Sequence, residues 1–125
     1  MRPALAILAA LIAGCSTMDH ERVEGWPELQ IVEHYVPAEE MRARCRKYVG
    51  LGSVPLACAE FNLVARRCDI WLSRSFAPRG IVEHERLHCR GYDHVGATNM
   101  RDFLARYQAA AGASAAAASA ARLAR

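Results

Sequence analysis

Residues 28–36 read ELQIVEHYV, a stretch rich in β-branched and aromatic side chains that predicts a strand. Pro37 then stands where a helix can begin, with Glu39 and Glu40 in the first turn, where the helix dipole favours anions. Met41, Cys45, Tyr48 and Val49 share one face of that helix, and Gly50 ends it. Residues 56–63 and 67–72 predict two strands with a short connection, a hairpin across which Cys58 and Cys68 can face each other. Pro78 and Gly80 break the chain before a second helix over 81–90, closed by Gly91. A short segment, 92–95, and a loop through 96–99 lead to a third helix over 100–109, whose apolar face is Met100, Phe103, Leu104 and Tyr107. Residues 109–125 form an Ala-rich, low-complexity tail: alanine favours helix, but with almost nothing large to bury the tail could fray or remain disordered, and it is assigned no function. The order of elements predicts an α+β domain over 28–108: a small, mostly antiparallel sheet packed with an N-terminal helix and a second helix, plus a C-terminal helix.

The two ends change how much of the chain counts towards that domain. Residues 1–15, MRPALAILAALIAGC, place one Arg before a short apolar core and then Cys15. That core is too short for a bilayer span, which takes about 20 apolar residues, but it has the length of an export signal. Its last four residues, Ile12 to Cys15, resemble the lipobox of bacterial lipoproteins. The resemblance implies cleavage before Cys15, a lipid on its sulfur, and a membrane anchor; Ser16 at the next position implies the outer membrane, facing the periplasm. Residues 16–27 are polar, with Gly25 and Pro27, and read as a tether. The chain of 125 residues is thus one small domain, 53% apolar, 23% charged and with a net charge of +3 spread along its length, which excludes wholesale disorder and gives no basis for nucleic-acid binding. A monomer is expected. Export to an oxidising compartment makes Cys45, Cys58, Cys68 and Cys89 candidates for two disulfides, with three possible connectivities. No paired C-x-x-C spacing is present to suggest a four-thiolate metal site or a redox motif.

The segment that carries chemistry is HERLHCRGYDH, residues 84–94. On a helix, positions i and i+4 lie on one face, so His84 and His88 can offer two imidazole nitrogens to one metal ion. Glu85 is rotated by about 100° from His84, close enough to reach a water at the metal without being a ligand. Gly91 can take positive φ and stop the helix abruptly, after which the chain can double back and bring His94 to the same ion. Three histidines leave one position open, the ligand count of a catalytic zinc site. The first five-residue pattern arises by chance in roughly a few chains of this length per thousand, and the Gly and third His lower that to roughly a few per million.

These eleven residues resemble the H-E-x-x-H-x-x-G-x-x-H signature of metzincin zinc peptidases, with every defining position filled. The order of strand, helix, strands and active-site helix is also similar to the N-terminal subdomain of zincins. The resemblance implies one zinc ion held by His84, His88 and His94, with Glu85 as general base in hydrolysis of a peptide or protein substrate. It also implies a sheet-edge strand that pairs with extended substrate, for which 68–72 and 56–63 are the candidates. Tyr92 and Arg90 are near enough in sequence to be considered as oxyanion stabilisers, and Asp93 as a hydrogen-bond partner of a ligand histidine. The chain departs from the family pattern in two ways. Met100 follows His94 too closely for the usual methionine turn and reads first as a core residue, and only a short segment stands where a specificity subdomain would be, so the resemblance is to a minimal, divergent member. The rival reading is a non-catalytic envelope lipoprotein in which zinc and disulfides substitute for a large core.

Overall fold

The computed structural model describes residues 19–124; the export signal and Cys15 lie outside them. Within that range β1 (His20–Arg22), β2 (Gln30–Val36), α1 (Ala38–Cys45), β3 (Ala57–Asn62), β4 (Arg67–Ser73), α2 (Arg79–Cys89), β5 (Tyr92–His94) and α3 (Asn99–Leu123) follow one another, with a single 3-10 turn, Arg46–Tyr48, after α1. The class is α+β, as the sequence predicts.

The main sheet has the order β2-β4-β3, with β4 parallel to β2 and antiparallel to β3. The hairpin of β3 and β4 is therefore present, but the sheet is mixed. β4 takes the centre because it is the strand with apolar side chains to bury on both faces: Cys68, Ile70 and Leu72 on one, Trp71 on the other. Of the two candidates for a substrate-pairing edge, residues 68–72 are paired on both sides, whereas β3 is bonded on one side only among the described residues.

Alternation along the strands sorts the cysteines. Cys58 points to the face covered by α1, where it meets Met41 and Cys45, and Cys68 points to the opposite face, which carries α2. They do not face each other across the hairpin; Cys58 is opposite Trp71, and Cys68 is opposite Phe61. The disulfides are Cys45–Cys58, tying α1 to β3, and Cys68–Cys89, tying β4 to the last residue of α2. The second closes a sequence separation of 21 residues immediately after His88. Replacing Cys68 and Cys89 together by alanine is expected to lower stability by about 3 kcal/mol from the loss of loop closure, read as a shift in the denaturant midpoint.

The principal core joins Trp26, Leu29, Ile70, Leu72, Val82, Met100 and Leu104. Two elements differ from the sequence reading. The tether expected over 16–27 is folded from its described start: β1 pairs with β5, and Val23 and Trp26 are 1% and 6% exposed. Its polar composition hides two anchors with hydrogen-bond partners more than sixty residues away: the Gly91 carbonyl, which accepts the Val23 N–H at 2.7 Å, and the Cys89 carbonyl, which accepts the Trp26 indole N–H at 3.2 Å. The tail does not fray at residue 109 either; α3 runs on to Leu123 with its Ala-rich half exposed, carried by alanine's helix propensity alone. The predicted apolar face of α3 does pack inward: Met100 and Leu104 are buried, with Phe103 and Tyr107 against the same core. No helix among the described residues is long and apolar enough to cross a membrane.

Candidate metal centre

α2 begins after Pro78 and presents Val82, Glu85 and Cys89 inward. His84 and His88 are half-buried on the adjoining stripe, one turn apart, with their Nε2 atoms 3.2 Å from each other. The helix ends at Cys89, and Gly91 follows with φ +89°, so the chain reverses and enters β5. β5 delivers His94, whose ring centroid is 5.0 Å from that of His84 and 4.9 Å from that of His88. The three predicted ligands are thus brought together.

A fourth histidine joins them. β1 pairs antiparallel with β5 in a register that sets His20 directly opposite His94, and directly opposed side chains project from the same face of a sheet. One potential ligand atom from each of His20, His84, His88 and His94 lies within 4.8 Å of the others. His20 was not legible as a site residue because its partner strand is short and far away in sequence; the only signal was a histidine in a His-x-Arg alternation that could match Tyr92-x-His94.

The arrangement fits a single metal ion. Metal–nitrogen bonds of about 2.0–2.1 Å, with about 1.1 Å more to each ring centre, put the rings of a four-imidazole tetrahedron about 5 Å apart. The six ring-centroid separations here run from 4.7 to 5.6 Å, one on every edge of such a figure. Two of the nitrogens, His20 Nε2 and His94 Nδ1, are buried without a hydrogen-bond partner, which is costly unless another ligand satisfies them. The His88 Nδ1–H donates to the Tyr92 carbonyl at 2.7 Å, a bond that fixes the tautomer and leaves the Nε2 lone pair pointing at the other rings. Burial, then the neighbouring imidazoles of His88, His94 and His20, lower the pKa of His84 to about 4, and burial lowers that of His88; both rings are neutral at pH 7, the form that binds metal. On these grounds replacing His88 by alanine is expected to reduce metal content to a small fraction of one ion per chain, measured by atomic emission on the dialysed protein.

A cleft of about 330 Å³ opens onto this cluster. His84, His88, His94 and Glu85 line it together with Ala57, Ala59 and Phe61 of β3. His20 does not. Glu85 is 9% exposed, and burial raises its carboxyl to about 7, offset in part by the backbone amide of Ala59, which hydrogen-bonds it. Among the described residues no cation lies against it to neutralise it.

The remaining sequence candidates take other places. Asp93 is buried, and its carboxylate accepts the backbone N–H groups of His94 at 2.9 Å and of Met100 at 3.1 Å, so it positions the main chain of His94 and the start of α3 rather than an imidazole ring. Met100 is a core residue that also reaches the cleft wall. Arg90 and Tyr92 border a different hollow, beside Trp26 and Leu29, so neither is placed to stabilise charge developing in the cleft. No family model, curated protein or solved structure matches the chain.

Proposed function

We propose that this protein is a zinc-dependent peptidase of minimal metzincin-like type, anchored in the bacterial outer membrane by lipid on Cys15 and acting as a monomer towards the periplasm. The observation that carries the reading is Glu85: a buried carboxyl without a neutralising cation, set in the same cleft wall as three convergent histidines. A purely structural metal site gains nothing from such a group, whose burial is unfavourable in its charged form, whereas hydrolysis needs a base there.

Zinc held by the imidazoles would polarise the scissile carbonyl and acidify water. Glu85, on the cleft wall beside the histidines, is placed to accept a proton from a water in the cleft on a carboxylate oxygen and to deliver it later to the leaving amine nitrogen. β3 is an edge strand with one side free of sheet pairing among the described residues, and its residues Ala57, Ala59 and Phe61 line the cleft. An extended peptide laid along it would gain main-chain hydrogen bonds while small side chains at Ala57 and Ala59 leave room for its own.

The full chain in detergent is expected to cleave members of a mixed peptide library, with cleavage abolished by a chelator and restored by zinc. Stoichiometric zinc with no cleavage by the chain or by any variant that opens the metal site would overturn the peptidase reading. It would favour the second reading, a zinc- and disulfide-stabilised binding module, to which the presence of His20 as a fourth imidazole lends specific support.

A further inference from the structure

We propose that His20 is a displaceable fourth ligand: β1 carries it into the metal site, where it holds the centre closed, and departure of β1 opens the site to the cleft. The inference rests on the reading of the cluster as a zinc centre.

The four histidines are not held alike. His84 and His88 are on α2, which is pinned to β4 through Cys89. His94 follows buried Asp93, whose carboxylate is bonded to main chain on both sides of the loop. His20 belongs to the short strand β1, which among the described residues pairs with β5 alone. The first deeply buried residue beyond it is Val23, whose N–H donates to the Gly91 carbonyl at 2.7 Å. Before Val23, β1 is retained by its ladder, by the Val95 N–H donated to the Asp19 carbonyl at 3.0 Å, by the exposed ion pair of Glu21 with Arg101, and by Arg22 over the Tyr92 ring at 5.9 Å. Solvent-exposed ion pairs and short outer strands are weak restraints, and such segments open locally without global unfolding. Val23 is the natural hinge.

The chemistry divides the same way. The cleft is walled by the other three histidines and Glu85, and His20 is the corner of the tetrahedron that does not reach it. Four protein nitrogens complete a tetrahedral zinc site and leave no position for an incoming ligand; three leave one. With His20 in place the centre is closed in the manner of a structural site, while the base beside it has nothing to act on. Without it, the remaining constellation is the three-histidine set expected from the sequence.

The test uses the full chain in detergent loaded with cobalt(II) in place of zinc, and azide as an exogenous ligand. In the parent protein azide is expected to leave the visible spectrum almost unchanged. In His20→Ala the bands are expected to shift and weaken as coordination expands, with azide binding at least tenfold tighter, and the zinc form is expected to cleave peptides at least tenfold faster than the parent. Arg101→Ala keeps all four histidines and removes only a restraint on β1; its azide affinity is expected to fall between the two, and it decides the matter if His20→Ala does not fold. Equal azide binding by parent and His20→Ala, or by parent and Arg101→Ala where only the latter is available, would overturn the proposal, as would a folded His20→Ala that no longer binds cobalt. An opened spectrum without peptide cleavage would instead leave the latch standing and refute the peptidase reading.

Discussion

Glu85→Gln is expected to retain one zinc per chain and the parent fold, and to lower kcat for peptide cleavage by about 10²–10⁴-fold, the usual contribution of a positioned general base. Glutamine has nearly the shape of glutamate, and its side-chain oxygen can still accept the Ala59 amide that bonds Glu85. What it lacks is the capacity to take a proton from water. None of the four histidines hydrogen-bonds Glu85, so metal content should not depend on it. Measured both in the parent and in the His20→Ala background, the substitution separates loss of chemistry from closure of the site. A kcat unchanged in both backgrounds would remove Glu85 from the mechanism, and loss of zinc with loss of activity would make its role structural.

Gly91→Ala is expected to be the most damaging single substitution to the fold, by about 2–5 kcal/mol from positive-φ strain and overpacking together. A Cβ on Gly91 would stand 2.6–2.7 Å from three atoms of Trp26 while the backbone stays at φ +89°. Trp26 cannot yield, because its indole N–H is bonded to the Cys89 carbonyl and its ring packs edge-on to Phe61 at 4.9 Å. The turn itself lies between His88 and His94, so a shift that relieves the clash also displaces a histidine of the cluster. Urea unfolding of Gly91→Ala, with zinc titrated on the same samples, reads both effects. A loss below about 1 kcal/mol would contradict the close approach of Trp26 to Gly91.

Gly91 also shows where the sequence is informative and where it falls silent. That a glycine three residues past His88 ends a helix and turns the chain towards His94 is a local matter of backbone freedom, and it is visible in eleven residues. That Trp26 presses on it is not, since the two lie 65 positions apart and the segment around Trp26 is polar enough to read as a tether. The same division runs through the rest of the molecule. α1, α2 and the β3–β4 hairpin are encoded by periodicity, proline and glycine within each segment. The central place of β4, its parallel pairing with β2 and the partners of the four cysteines depend on which face each strand turns to which helix. His20 is the extreme case: three residues of β1 carry too short an alternation to announce a strand, and only its register with β5 reveals a fourth histidine of the cluster.

The length of α3 illustrates a different difficulty. Alanine after residue 109 favours helix at every position yet buries nothing, so propensity and packing give opposite expectations, and propensity prevails.

Whether four imidazoles share one zinc ion is read from zinc K-edge X-ray absorption on the full chain in detergent. The expected result is one zinc per chain with a first shell of four nitrogens at about 2.0–2.1 Å, becoming three nitrogens and one oxygen in His20→Ala. Absence of stoichiometric zinc from the folded protein, or a parent first shell containing sulfur or only two imidazoles, would contradict it.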